Sequence, residues 1–216
     1  MSSNMDRTLV EQYALAPEEI ERRSFGIIAE LLSDLDQSRP EWPLIQRIVH
    51  TTGDPALGRQ IVVHPNAVAA GTSALAAGRP VITDVKMVAA GISRQHCAKF
   101  GCEVICRIDD PTVLELAKTQ HTTRSIAAIQ HLSARLPGAV VAIGNAPTAL
   151  LALLDYLDAG NAAPAVVVGT PVGFVGAAEA KRELLGRSGV PFVTIEGTRG
   201  GSAIAAAAVN ALLRLA

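Results

Sequence analysis

Aromatic side chains are scarce in this sequence: one Trp, two Tyr and four Phe, 3% of 216 residues. With 49% of residues apolar, a core is available, but it has to be built from Ala, Val, Ile and Leu. An excess of either charge is also missing. Nineteen basic residues stand against 20 acidic ones, a formal net charge of −1. No basic field is available for nucleic acid, and no polybasic run for a membrane surface. The three cysteines, Cys97, Cys102 and Cys106, are an odd number whose spacings fit no common zinc pattern. The opening residues hold no apolar core of signal-peptide type. A cytoplasmic protein with free thiols rather than disulfides is therefore expected. One stretch, Pro137–Leu154, is free of charge and long enough to raise the question of a membrane span. Asn145 and Pro147 interrupt it where a strand would turn into a helix, so it reads as buried core.

What is present is an alternation of strands and helices. Strands are expected at Gln60–Val63, Pro80–Thr83, Glu103–Ile108, Ala139–Ile143, Ala165–Val168 and Pro191–Ile195, mostly β-branched runs bounded by Gly, Pro or Asp. Helices are expected at Pro65–Ala77, Val85–Phe100, Thr112–Lys118, Arg124–Leu136, Pro147–Ala159, Gly176–Arg187 and Ser202–Leu215. Apolar strands alternating with helices argue for a parallel sheet covered on both faces. No repeat, low-complexity tract or linker divides the chain. The fold expected is α/β, one three-layer αβα domain over residues 17–216 with a mostly parallel sheet. Residues 1–16 form a flexible lead, and two N-terminal helices precede the sheet. The first opens at Pro17 with Glu18 and Glu19 in its first turn, and carries a stripe of Ile20, Ile27, Ile28, Leu31 and Leu35. Ser24 lies on that stripe, either bonded to a backbone carbonyl or facing a ligand.

The second of these helices lies in Glu41–Asp54 (EWPLIQRIVHTTGD). At about 100° per residue, Leu44, Ile45, Ile48 and Val49 form an apolar arc that leaves Arg47 and His50 together outside it. A cation and a titratable imidazole thus look away from the core, into solvent or into a cleft.

Ligands of open parallel sheets bind beyond the carboxyl ends of the strands, and four loops there are informative. Gly144–Thr148, Gly169–Gly176 and Gly197–Ser202 are glycine-bearing strand-to-helix turns, and Thr122–Ser125 offers hydroxyls to cap a helix. Glycines allow close backbone approach, and helix N-termini present N–H donors to anions. With Arg124 and Arg199, these cradles suit a ligand with several carboxylates or phosphates, although such turns also occur as plain architecture. The Gly169–Gly176 spacing is GxxxGxxG rather than the dinucleotide GxGxxG. Neither a GxxxxGK[ST] loop nor a GxSxG elbow occurs. Asp84 is expected to cap a helix, and His64, His96, His121 and His131 read as structural or solvated.

Six segments, in order, carry a resemblance: Glu21–Phe25, Arg47–His50, Thr123–Ser125, the GNAPTAL run Gly144–Leu150, the PVGFVGAAE run Pro171–Glu179, and Gly200–Ser202. Together they span nearly the whole chain. The sequence resembles precorrin-8X methylmutase and its cobalt-precorrin-8 counterpart, isomerases of the corrin ring pathway to vitamin B12. The resemblance implies a homodimer with its substrate at the carboxyl edge of the sheet. It further implies a methyl group migrating from C-11 to C-12 of the macrocycle, with no organic cofactor or metal required. The position matching His50 serves the family as proton donor and acceptor. The substrate-binding set inferred with it is Ser24, Arg47, Thr83, Arg124, Ser125, Asn145, Arg199, Gly200, Gly201 and Ser202. Two positions depart from the family's pattern: Thr198 stands where an Arg is usual, with Arg199 one residue later, and Ala180 replaces a Ser.

Composition and resemblance agree. The substrate carries several acetate and propionate groups, which Arg47, Arg124 and glycine-loop N–H groups would receive. An imidazole, with an ordinary pKa of about 6.5, can give and regain a proton near neutrality. The expected partners are precorrin-8X or cobalt-precorrin-8, a second copy of the chain, and a later enzyme of the pathway that takes the product. A non-catalytic tetrapyrrole carrier, or a nucleotide-dependent dehydrogenase using the Gly169–Gly176 loop, are the competing readings.

Overall fold

Short runs of Val and Ile, whose branched side chains fit a pleated surface, make the sheet. The structure is a computed structural model that describes residues 8–10, 16–187 and 189–216. Apart from residues 8–10 and 16, the lead expected over 1–16 lies outside the described residues. Six strands are present among them: β1 Ile61–Val63, β2 Val81–Thr83, β3 Val104–Cys106, β4 Val140–Ile143, β5 Val166–Gly169 and β6 Phe192–Ile195. Each falls within a residue or two of its expected span. Their order is β1-β6-β5-β4-β2-β3, parallel from β2 to β6. Edge strand β1 runs antiparallel to β6.

Eleven helices accompany the sheet among the described residues: α1 Pro17–Leu31, α2 Trp42–Thr52, α3 Pro55–Gly58, α4 Ala67–Ala76, α5 Lys86–Gly91, α6 Arg94–Phe100, α7 Pro111–Thr119, α8 Arg124–His131, α9 Pro147–Asp158, α10 Ala177–Leu185 and α11 Ser202–Leu215. Successive strand residues point to opposite faces. Val140, Ala142, Val166 and Val168 enter one core with α2, α4, α5 and α11. Val141, Ile143 and Val167 enter the other with α8, α9 and α10. That division is the three-layer arrangement. The central element of the first layer is α11, whose small side chains from Ala205 to Ala208 are all buried. No helix among the described residues is long and apolar enough to cross a membrane.

Three local expectations are corrected. The helix expected over Val85–Phe100 is two, α5 and α6, because Asn210 of α11 accepts the Ser93 N–H and donates to the Gly91 carbonyl, each at 2.8 Å. Ser93 then caps α6. The helix beginning at Arg124 ends at His131, followed by a short 3-10 turn at Ser133–Arg135. Along α1, Ile28 is buried but Ile20, Ile27 and Leu31 are exposed, and the residue sealed in the core is Leu32, just past the helix end.

Strand order reverses between β2 and β4, the place at the carboxyl edge where open parallel sheets bind their ligands. Asp84 sits there. Its carboxylate is 2% exposed and accepts the N–H groups of Gly144, Asn145 and Ala146 at 3.1, 2.8 and 2.8 Å. It joins the β2 and β4 loops instead of capping the next helix, whose N-cap is Val85. Burial pushes its carboxyl above the ordinary value, opposed by those N–H bonds. A second buried ionic group is Lys181, on the face that α10 presents with Ala177, Ala180 and Leu184. Burial lowers its ammonium to about 8.

Two outcomes are expected. Asp84→Ala strands three N–H donors and lowers stability by about 3–5 kcal/mol, read as a fall in the denaturation midpoint. For Lys181, the folded protein binds fewer protons than the unfolded chain between about 8 and the ordinary 10.5, so stability rises with pH across that window. Denaturation curves of the wild type against Lys181→Met isolate this term, and a difference that stays flat or falls contradicts it.

Candidate active site

Helix α2 begins with Pro43 in its first turn and buries Leu44, Ile48 and Val49, leaving Arg47 and His50 half-buried at its rim. Helix α1 completes the arrangement. The Phe25 ring meets His50 edge-on, with centroids 5.5 Å apart and planes at 90°. The same ring carries the Arg47 guanidinium 4.7 Å from its centroid, within cation–π range. Arg47 donates to the Glu21 carboxylate at 2.5 Å, and Arg214 lies 3.7 Å from the other oxygen of Glu21. The hydrogen bond from Arg47 is the main reason the Glu21 carboxyl sits below its ordinary value. Of the two options for Ser24, the backbone one is realised: its hydroxyl donates to the Ile20 carbonyl at 2.8 Å.

The turn after α2 reaches the far end of the chain. Asp54, four residues past His50, forms an ion pair with Arg199. The β6–α11 loop is folded tightly onto the β5 loop. A Cβ at Gly200 would lie 2.3 Å from the Thr170 carbonyl oxygen, so glycine is required. The Gly201 N–H donates to the same carbonyl at 2.9 Å, and the Gly173 N–H to Thr198 at 3.1 Å. A Cβ at Gly144 would lie 2.8 Å from the Ser202 Cα, which brings the β4 loop against the start of α11. Ser202 itself is buried.

Further along the edge, Thr123 caps α8 by accepting the Ile126 N–H at 3.2 Å. It also donates to the Thr148 hydroxyl at 3.3 Å, tying α8 to α9. Arg124 stands exposed at this helix start, with Ser125 half-buried beside it. The Lys86–Asp109 ion pair lies near Arg124, and the lysine holds Asp109 below the ordinary carboxylate value.

The structure therefore brings Arg47, His50, Arg199 and the Gly200–Ser202 turn to one region, with Asn145, Arg124 and Ser125 along the rim at β4. Thr83 is different. Its hydroxyl lies inside the sheet and donates to the Ile105 carbonyl at 3.3 Å. The glycine loops also differ from simple cradles. Asp84 takes the N–H groups of Gly144–Ala146, and Thr170 takes that of Gly201. What remains is the first turn of α11, whose N–H groups have no acceptor within the helix.

Beside Arg47, a recess of about 360 Å³ is lined by Thr51, His96, Asn210 and Arg214 among others. A recess of about 570 Å³ between α8 and α9 has mainly apolar walls and holds none of the candidate residues. Cys97 and Cys102 are buried, with thiols pushed up by burial. Among the described residues no group of three or more His, Cys, Asp or Glu could hold a metal ion.

Sequence reasoning missed Glu21 and Phe25 as supports for Arg47 and His50, Asp54 as the partner of Arg199, and Asp84 as the acceptor of a loop. The first two share a helix face at i and i+4, which was a usable signal. The pairings of Asp54 and Asp84 join residues far apart in sequence and left none.

Comparison with known proteins matches this geometry to one group. The family model described as precorrin-8X methylmutase matches residues 19–215. A precorrin-8X methylmutase of Sinorhizobium sp is 48% identical over 198 residues, covering 90% of this chain and 93% of the relative. The cobalt-precorrin-8 methylmutase of Priestia megaterium is 41% identical over 210 residues, covering 97% and 93%. Among solved structures, a precorrin-8X methylmutase from Thermus thermophilus superposes with a TM-score of 0.83 at 39% identity, covering 91% of this chain and 96% of that one. Fold, edge and sequence thus converge, and the chain belongs to the precorrin-8X methylmutase family.

Proposed function

We propose that this chain catalyses the migration of a methyl group from C-11 to C-12 of precorrin-8X, giving hydrogenobyrinate, or of the cobalt-containing equivalent, giving cobyrinate. The observation that carries the reading is that Arg47 and His50 share the Phe25 ring on α2 while Asp54, in the turn after that helix, holds Arg199, in a chain that matches the family almost throughout. The reaction is a rearrangement within one molecule, so it consumes no co-reactant. His50 gives a proton to the conjugated ring system, the methyl group moves with its bonding pair, and the proton returns to His50. The product is an isomer of the substrate.

The remaining residues bind and orient. Arg47, Arg124 and Arg199 receive acetate and propionate side chains of the macrocycle, for which a guanidinium offers paired donors. The first turn of α11, with Gly200–Ser202, adds N–H donors and a positive helix end. Phe25 keeps the His50 ring and Arg47 guanidinium in register, and Ser125 and Asn145 line the approach; Ser24, bonded to the Ile20 carbonyl, and Thr83, inside the sheet, support the site rather than face the substrate. We place the enzyme in the cytoplasm, where its three free thiols would stay reduced. We take it to be a homodimer. Ile20, Ile27 and Leu31 on α1, and Phe174 and Val175 at 93% and 90% exposure, are apolar surface that a second copy would cover. Hand-over of product to the next enzyme of the pathway completes the reading.

The deciding experiment is a visible absorption time course of the protein with metal-free precorrin-8X, repeated with the cobalt-containing substrate. A colour change with one of them establishes the mutase and its branch, whereas tight binding without colour change with both would make the protein a carrier. His50→Ala should slow the change on the order of 10²–10⁴-fold while still binding the pigment; near-normal turnover would remove the acid role. Arg124→Ala and Arg199→Ala should each raise KM roughly tenfold with a smaller effect on kcat.

A further inference from the structure

Lys181 is the one lysine among the largest fully buried side chains of the described residues, at 1% exposure. Taking an ammonium out of water is costly unless it is paired or hydrogen-bonded. Here the Nζ donates to the backbone carbonyl of Arg199 at 2.6 Å. That carbonyl belongs to the residue whose guanidinium pairs with Asp54 beyond the His50 helix. With its lowered value still about 8, Lys181 carries its proton at neutrality, and the bond is charge-assisted. A recess of about 310 Å³ runs beside it, lined also by Ala178, Arg182, Leu185, Glu196 and Gly197. Lys181 thus reaches the β6–α11 loop from beneath while Asp54 engages it from the α2 side.

We propose that Lys181 is a positioning residue for substrate binding: its hydrogen bond to the Arg199 carbonyl fixes the path of the Thr198–Gly201 loop so that the Arg199 guanidinium is presented to a carboxylate of the macrocycle. The proposal rests on the function inferred above and adds to it a residue that touches no substrate. The neighbouring loop is an internal control, because Gly144–Ala146 is held by Asp84 and owes nothing to Lys181.

The test combines amide hydrogen exchange of the free protein with steady-state kinetics. Lys181→Met keeps length and removes the donor, whereas Lys181→Gln keeps an N–H donor. In Lys181→Met, exchange at residues 197–202 should quicken about tenfold or more while residues 144–146 hold their rate. KM should rise roughly tenfold with kcat within about threefold, and Lys181→Gln should recover part of the loss. In an Arg199→Ala background, Lys181→Met should add little further to KM, because the two act through one contact. Equal quickening at both loops, an unchanged KM, or additive penalties in the double variant would each overturn the proposal. Wild-type protein that turns over neither substrate would strike at the mutase reading instead, and the exchange comparison would still decide whether Lys181 holds the loop.

Discussion

A sheet covered on both faces leaves a protein one place for polar chemistry, the edge where its strands end. Every residue of β4 and β5 is buried, and the α2–α4–α5–α11 layer on one side and the α8–α9–α10 layer on the other close off the faces. The backbone groups that leave the parallel strands must then be satisfied within the turns at that edge. Here they are satisfied largely by one another: Thr170 by Gly201, Thr198 by Gly173, and Gly144–Ala146 by a buried carboxylate. The turns that could have been loose ligand-binding arms are joined into a continuous ledge. The proposed site lies on this ledge and on the two helices that lean against it.

Placing His50 and Arg47 on α2 instead of on a strand end has a physical reason. The helix is anchored by its apolar arc against α11, so the two side chains are held by packing, and α1 needs only Phe25 and Glu21 to set their directions. The ion pair from Asp54 to Arg199 ties this helical part of the site to the ledge. Asp84 and Lys181, opposite in charge and both out of water, hold adjacent loops from below. Their burial is unfavourable taken singly, and it is retained where a loop path has to be unique.

Much of the architecture was legible in the sequence. The β-branched runs between Gly, Pro and Asp marked all six strands, and Ser202–Leu215 was bounded correctly because Gly200-Gly201 precede it. The three-layer order followed from alternation alone. The parallel course of β2 to β6 followed from the same alternation, but the direction of β1 was not legible, since a three-residue run such as Ile61–Val63 looks the same in either orientation, and it proved antiparallel. The break between α5 and α6 was hidden because the side chain responsible, Asn210, lies 117 residues from Ser93. In the site, the helical spacing of Arg47 and His50 and the capping role of Thr123 could be read directly. The partners Asp54 and Asp84 could not, because their contacts are made only once distant loops meet. Lys181 was readable in hindsight of its pattern: it falls on the buried period of α10 with Ala177, Ala180 and Leu184, where a lysine is out of place.

Both outer strands of the sheet, β1 and β3, are three residues long. A strand end with unpaired N–H and C=O groups is a template on which other chains can add, and sheets built from so many Val and Ile runs are exposed to that hazard while they fold. Edges this short offer too few groups for a stable cross-chain ladder. The charged segments around β3, with Glu103 before it and Arg107, Asp109 and Asp110 after it, discourage stacking further. An apolar interior is thereby enclosed between two borders that give neighbouring molecules little to pair with, so the sheet resists aggregation where it is most open to it.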